Sequence, residues 1–428
     1  MRKYIALTAV LLLVGVGCKS TSSDDAGTKT TTTVKAGEVV EDDRAPGVTD
    51  DAIKVGIAYP DFEALGDAVN INHGDYEAAY TAVIDDINEK GGVHGRELEA
   101  VFGPVDPSSA TSTDDVCTKL TQDDPVFVAI GLFFGESVMC FVNVNETAVV
   151  GGEMTDERVA QARAPWFAYD VSSDSQVDAV NKLIDADDLK GKVAVIMTDQ
   201  DQALYESRIK PVLDDADVEV VETSILNTAL DPEQLTGESR TAFQRFEAAD
   251  APTVLALGQG TAGAVSDGLS DSSYNPQLLF TSTNSVNAYA KDETRDASVF
   301  EGAVGVGVFG PPDEYLTLGG ITEECLDVVR DAGVTITKPS EVAEGDPNSI
   351  VSALAACQQL ELLTALLDDA GEDLNYGTFT TAGYDLGEIE LPGEPEPFFF
   401  GPPPHSDGDR PLYRYEFSVD DRQFEPAS

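Results

Sequence analysis

The 428 residues carry 78 acidic against 26 basic side chains, a formal net charge of -52, and 42% of them are hydrophobic. That apolar share supports buried cores, and the length supports two domains of ordinary size, so a disordered chain is excluded. So negative a surface repels phosphate backbones and anionic lipid headgroups, which argues against nucleic acid or a bare membrane surface as partner. The acidity is spread along the chain and reads as a solvated surface suited to saline surroundings; it says nothing of a ligand.

The chain opens with Arg2 and Lys3, an apolar run over 5–16, then Gly15-Val16-Gly17-Cys18 and a polar stretch. A charged start, a short apolar core, small residues and a break form the pattern of an export signal over 1–17. The run is too short to span about 30 Å of hydrocarbon. A cysteine directly after Gly-Val-Gly resembles a bacterial lipoprotein signal, although Gly15 stands where that signal prefers Leu. The resemblance implies that Cys18 is lipidated and that the protein is anchored outside the cytoplasm, at the cell surface or in the periplasm. An ordinary secretory leader with an incidental cysteine is the alternative. Residues 18–47, rich in Ser, Thr, Asp and Gly, read as a disordered tether.

From residue 53 strands and helices alternate. Strands are predicted over 53–59, 97–102, 126–130 and 148–151, and helices over 76–88, 113–120 and 136–145. After Trp166-Phe167-Ala168-Tyr169 the alternation restarts. Strands are expected over 193–197, 218–223, 253–257, 278–281 and 302–309, with helices over 205–213 and 242–249. Two longer helices follow, over 321–332 and 348–369, then a Pro-rich, strand-like tail from 385. Repeated βα units imply parallel, doubly wound sheets. Two such runs give an α/β protein of two Rossmann-like lobes. The first lobe is expected over 48–170 plus 303–382, and the second over 171–302 plus 383–428.

Beyond Cys18, four cysteines remain. In an oxidising compartment two local disulfides, Cys117–Cys140 and Cys325–Cys357, are the simplest reading, each stabilising by about 3–4 kcal/mol in the chain-entropy model. A metal site has the wrong spacing and only His73, His94 and His405 to draw on.

The segment 47–56 (GVTDDAIKVG) resembles the opening of ABC-transporter substrate-binding lipoproteins of the branched-chain amino-acid (leucine/isoleucine/valine-binding) type. So does 82–96 (AVIDDINEKGGVHGR), with that family's helix, Gly-Gly turn and Gly-Arg. The likeness covers about residues 47–385. It implies the type I periplasmic binding protein fold, two lobes joined by a three-strand hinge with the ligand in the cleft. Family members also carry a first-lobe disulfide where Cys117 and Cys140 fall.

In open parallel sheets ligands bind at the carboxyl ends of strands, where helix N-termini offer free N–H groups. Those ends supply Tyr59, Phe134, Glu136, Ser137, Gly152, Glu153, Met154 and Thr155 in the first lobe, and Asp199, Tyr205, Gln259, Gly260, Thr283 and Asn284 in the second. The segments hold no Lys or Arg, so a ligand carboxylate is expected on backbone N–H groups with Ser137 or Thr155. An ammonium is expected to face Glu136, Glu153 or Asp199, and Tyr59, Phe134 and Tyr205 to pack on the rest. By resemblance, the loops that bind the polar head in relatives align near Ser137 and 153–155, and the second-lobe tyrosine is similar to Tyr205. The acid that relatives use for the ammonium has no match at Ser282-Thr283-Asn284. The competing uses are ordinary: Ser137, Thr155 and Asn284 as helix caps, the glutamates at helix N-termini, the aromatics as core.

Other motifs fail on context. Gly258-Gln259-Gly260-Thr261-Ala262-Gly263 spells a dinucleotide loop, but the next strand ends Phe280-Thr281-Ser282 without the required acid. The chain holds no phosphate-binding P-loop and no G-x-S-x-G elbow, so an ATPase is a separate subunit. His73 reads as a polar loop residue, and Asp407-Gly408-Asp409 is too short for a calcium loop. The expectation is a lipid-anchored, monomeric solute-binding protein, not an enzyme, without cofactor. It captures an amino acid or related carboxylate for an ABC permease and its ATPase subunits. A sensor of the same fold and, further off, a surface hydrolase are the alternatives.

Overall fold

The computed structural model describes residues 45–427 apart from 63–71, 107–108, 110, 132, 134, 153, 169–172, 229, 271, 293–294, 309–311, 344–345, 399 and 401–410. The expected leader, Cys18 and nearly all of the tether therefore lie outside the described residues, as do Phe134 and Glu153.

The first run comprises β1 (Ala52–Pro60), α1 (Tyr76–Glu89), β2 (Glu97–Val105), α2 (Ser112–Thr118), β3 (Val128–Gly131), β4 (Ala148–Val150), α3 (Asp156–Gln161) and β5 (Trp166–Phe167). Its strands pair in parallel in the order β2-β1-β3-β4-β5. The second run comprises α4 (Ser173–Asp185), β6 (Lys192–Thr198), the short α5 (Gln202–Leu204), α6 (Lys210–Asp215) and β7 (Glu219–Leu226). It continues with α7 (Pro232–Ala248), β8 (Thr253–Ala256), α8 (Ala262–Leu269), β9 (Gln277–Phe280), α9 (Asn284–Ala290) and β10 (Val304–Gly307). The chain then returns to the first lobe with α10 (Gly320–Asp331), α11 (Ser349–Ala370) and α12 (Tyr376–Asp385). It ends with β11 (Tyr413–Ser418) and β12 (Gln423–Pro426) on the second sheet, whose order is β12-β11-β10-β9-β8-β6-β7. All pairings there are parallel except β10–β11 and β11–β12.

Strand alternation explains why both sheets are covered on both faces. Ile53, Val55 and Ile57 point into one core with Val128, Ile130 and the helices α1 and α11, while Ala58 and Ala129 point into the opposite core with Leu120 and Phe141. In the second sheet Ala194 and Ile196 face one core and Val193, Val195 and Met197 the other. Burial on both sides requires the near-continuous apolar runs these strands carry. By length and composition α11 would allow a membrane crossing, but 67% of its apolar window is buried, so it is a core helix. Helix starts follow local chemistry: Asp75 accepts from the Ala78 N–H, and Asp231 caps α7 with Pro232 just behind it.

Both expected disulfides are present: Cys117–Cys140 ties α2 to the segment after β3, and Cys325–Cys357 ties α10 to α11. Three expectations change. The strand near 302–309 belongs to the second sheet, because Val304 and Gly305 pair with Leu279 and Phe280. The first lobe's second portion thus starts after β10, not at 303. At the other end, Leu391, Phe398 and Phe400 join the first-lobe core, with Phe400 against Phe167 at 5.1 Å. The tail therefore stays with the first lobe to about residue 400 instead of leaving at 383. Lastly, the helix expected over 136–145 is a 3-10 turn, Gly135–Ser137, and a π-helical turn, Cys140–Val144.

Candidate ligand site at the strand ends

Each sheet reverses its strand order once. β1 is followed by β2 on one side and β3 on the other; β6 is followed by β7 on one side and β8 on the other. Connections leave in opposite directions at those points and open a crevice beyond the carboxyl ends of the strands. The chain leaves the first lobe from the carboxyl end of β5 and the second from that of β10, and it re-enters at Tyr413, opposite Gly307 at the end of β10.

The first-lobe crevice is made of closely packed backbone. Gly131 pairs with Ala58 and has φ 126°; a Cβ there would stand 1.9 Å from the Ala58 carbonyl oxygen. Gly151, φ 128°, would bring a Cβ to 2.7 Å from the Gly131 oxygen. Only glycine passes at such positions. The Trp166 Nε1–H donates to the Gly151 carbonyl at 2.8 Å and fixes the end of β4.

The expected first-lobe residues divide around this frame. The Ser137 Oγ is sealed from solvent and has no hydrogen-bond partner among the described residues. Glu136 is exposed and takes the Arg158 Nε–H at 2.8 Å, with side-chain exposures of 77% and 14% respectively. Thr155 caps α3 by accepting the Arg158 N–H at 3.3 Å. Met154 is core, beside Phe133 and Phe141, and Gly152 lies under Phe133 and Val138. Tyr59 belongs to an aromatic corner: its hydroxyl donates to Glu77 at 2.6 Å and its ring stacks on Tyr76 at 5.5 Å. There His73 Nδ1 lies 2.8 Å from the Tyr76 hydroxyl and its ring 4.7 Å from Phe62. Burial pulls the His73 pKa down to about 4, so the ring is neutral, and the Asn72 carbonyl accepts the Asn348 N–H at the start of α11. His73 is a structural residue of that corner.

The second-lobe crevice is made of side chains. Asp201 follows β6, and its carboxylate accepts from the Thr198 hydroxyl at 2.7 Å and from the Gln176 Nε2 on α4 at 3.4 Å. At the end of β8, Gly258 (φ 73°) leaves room for it, since a Cβ there would be 2.7 Å from both carboxylate oxygens. Gln259 and Gly260 are exposed beside it. Asp199 is exposed and accepts the Thr228 hydroxyl at 2.9 Å. Tyr205 is 6% exposed in a core with Ile209 and Leu213, and Thr283 is buried beneath Gly305 and Gly307; Asn284 is exposed at the start of α9.

Ser137, Gly152, Thr155, Asp199, Gln259 and Gly260 lie in the segments that follow strand ends, while Met154, Tyr205 and Thr283 are core. Arg158, Trp166, Gln176 and Asp201 escaped the sequence reading. Asp201 had a usable signal, a Thr-x-x-Asp turn leaving a strand; the others reach these ends only through packing of remote segments.

No protein-family model matches the sequence, and no curated protein matches it. Solved structures do. An ABC transporter substrate-binding protein from Desulfitobacterium hafniense in complex with Leu superposes with a TM-score of 0.61 at 15% identity, covering 88% of this chain and 100% of that one. A solute-binding protein of an ABC transporter from R. palustris, in complex with benzoate, gives 0.59 at 16% identity over 88% and 96%. A periplasmic binding protein type 1 from Bordetella pertussis gives 0.61 at 14% identity over 88% and 100%. The chain has the type I periplasmic binding protein fold.

Proposed function

We propose that the chain is a solute-binding protein that captures a small polar solute, an amino acid or related carboxylate, between its two lobes and delivers it to an ABC permease. The observation that carries this reading is the pairing of strand-order reversals, one per sheet, whose crevices both lie on the side where the chain passes between lobes. Two crevices joined by such passages suit a ligand held from both sides, with closure as a hinge motion. The Ser137 hydroxyl supports it further: a sealed polar atom without a partner costs about 1–3 kcal/mol, and a ligand acceptor would remove that cost. Structures of the same fold hold leucine and benzoate, both carboxylates.

On this reading Ser137, Gly152 and Thr155 meet the solute from the first lobe and Asp199, Gln259 and Gly260 from the second. The protein binds without turnover. Its leader and Cys18 place it outside the cytoplasm on a lipid anchor, and mass spectrometry of the N-terminus checks that separately. The main test is a thermal-shift screen of amino acids, organic acids, amides and sugars. A solute at a hundred times its Kd should stabilise by about 2.7 kcal/mol, a clear shift in Tm. A broad library that moves nothing overturns the reading.

A further inference from the structure

The outer edge of β2 is occupied by side chains. Glu97 donates its N–H to the Asp51 carbonyl and Val105 accepts the Asp61 N–H, so the odd-numbered positions of β2 turn their backbone groups toward β1. Leu98, Ala100, Phe102 and Pro104 therefore turn theirs outward, where β2 ends the sheet. Asn88, on α1, takes both groups of Leu98: its Nδ2 donates to the Leu98 carbonyl at 3.0 Å and its Oδ1 accepts the Leu98 N–H at 2.8 Å. That amide stands where the peptide group of a further strand would. The Lys119 Nζ donates to the Phe102 carbonyl at 2.6 Å, and Pro104 has no N–H to offer. The second sheet repeats the device at its own edge, where the Phe424 N–H of β12 goes to the Asn287 Oδ1 at 2.7 Å and Pro426 lacks an N–H. Open backbone groups on an edge strand are a template for another chain, and capping them removes it.

The residues of β2 suit one partner, a second copy of the same strand. In antiparallel pairing about a twofold axis at Ala100, Leu98 faces Phe102 of the second copy, Glu99 faces Val101 and Glu97 faces Gly103, so no like charges stand opposite. The outward pairs are Leu98 with Phe102, Ala100 with Ala100 and Phe102 with Leu98; each would exchange two hydrogen bonds, about six in all. With Asn88 and Lys119 in place, only those between the Ala100 residues can form. We infer that the β2 edge is a latent pairing surface for a second copy of this chain, kept closed by the Asn88 amide with help from Lys119. The formal charge of -52 also holds copies apart, but salt screens it, so the asparagine matters most at high ionic strength.

The test is sedimentation velocity of the full-length chain in about 1 M NaCl, where charges are screened beyond about 3 Å. The native chain should sediment as a monomer. Asn88→Ala frees both Leu98 groups, and adding Lys119→Ala frees the Phe102 carbonyl as well, so self-association should rise in that order. The double variant should associate at least about 30-fold more tightly than the native chain. Ala100→Cys in each background reports the register, since the paired Cα atoms would stand about 5.5 Å apart, within reach of a disulfide. Oxidation should join position 100 to position 100 at least about tenfold more in the opened variants than in the native background, read by mass spectrometry of the linked peptide. Thr155→Ala, a comparable loss elsewhere in the lobe, should leave the chain monomeric. Asn88→Asp keeps the Leu98 N–H bonded and frees its carbonyl, and it serves if Asn88→Ala fails to fold. Folded variants that stay monomeric, or dimers that do not link through position 100, overturn the inference. A native chain that already pairs through position 100 overturns the guarding role of Asn88.

Discussion

The two crevices are built from different material. In the first lobe the chain itself forms the wall: Gly131 and Gly151 bring three strand ends within backbone contact, and the polar groups on offer are amides and the Ser137 hydroxyl. In the second lobe the wall consists of side chains, with Asp201 set by Thr198, Gln176 and the space above Gly258. Amides fixed by a sheet are generic acceptors of negative charge and hard to alter without damage. Side chains can change one at a time. Under the proposed solute-binding function, the first wall sets a common polar head and the second decides among solutes that share it.

That contrast is breakable. The largest effect is expected on the first wall: Gly131→Ala forces a Cβ against the Ala58 carbonyl at a φ that L residues rarely adopt, and urea unfolding should show a loss of at least about 3 kcal/mol. Opening Cys117–Cys140 with paired serines should cost about 3 kcal/mol and loosen the segment carrying Ser137, visible as faster amide exchange there. Protonation of His73 probes the corner beside that wall. Its pKa is depressed to about 4 when folded, so the unfolded chain binds the proton first. The stabilising contribution is complete above about pH 6.5 and is lost as pH falls toward 4, by about 2–3 kcal/mol. Melts of His73→Phe across that window should lack this slope. On the second wall Gly258→Ala should cost about 1–3 kcal/mol, the strain of a backbone at φ 73° and ψ 179° that L residues rarely adopt, because the Asp201 side chain can yield; it should also displace that carboxylate and weaken solute binding by about tenfold. Smallest, Thr155→Ala removes the α3 cap for about 1 kcal/mol by thermal melt. A Gly258→Ala variant as damaging to folding as Gly131→Ala would erase the distinction between the walls.

Much of the fold was legible because strands buried on both faces read as apolar runs and their ends are marked by glycine. Val128–Gly131 and Thr253–Ala256 follow that rule. Sheet membership was not, since the alternating Val-Gly of Val304–Gly307 looks the same on either sheet, and only its pairing with Leu279 and Phe280 decides. The first half of α7 escaped because Pro232–Ala248 is polar along most of its length and is held by Asp231 and a narrow apolar face that includes Ala242, Phe243 and Phe246. Among candidate site residues, position after a strand predicted location well and role poorly. Tyr205 and Asp201 leave the same strand four residues apart, and packing alone sends one into the core and the other to the crevice.

The two disulfides are unevenly placed: Cys117–Cys140 and Cys325–Cys357 both lie in the first lobe, and the second has none. Maturation is therefore divided by redox environment. The second lobe reaches its final strength by packing alone, wherever it is made, whereas the first gains two covalent clasps only in an oxidising space. Production in a reducing cytosol should yield a half-finished molecule, firm at one end and easily digested by protease at the other.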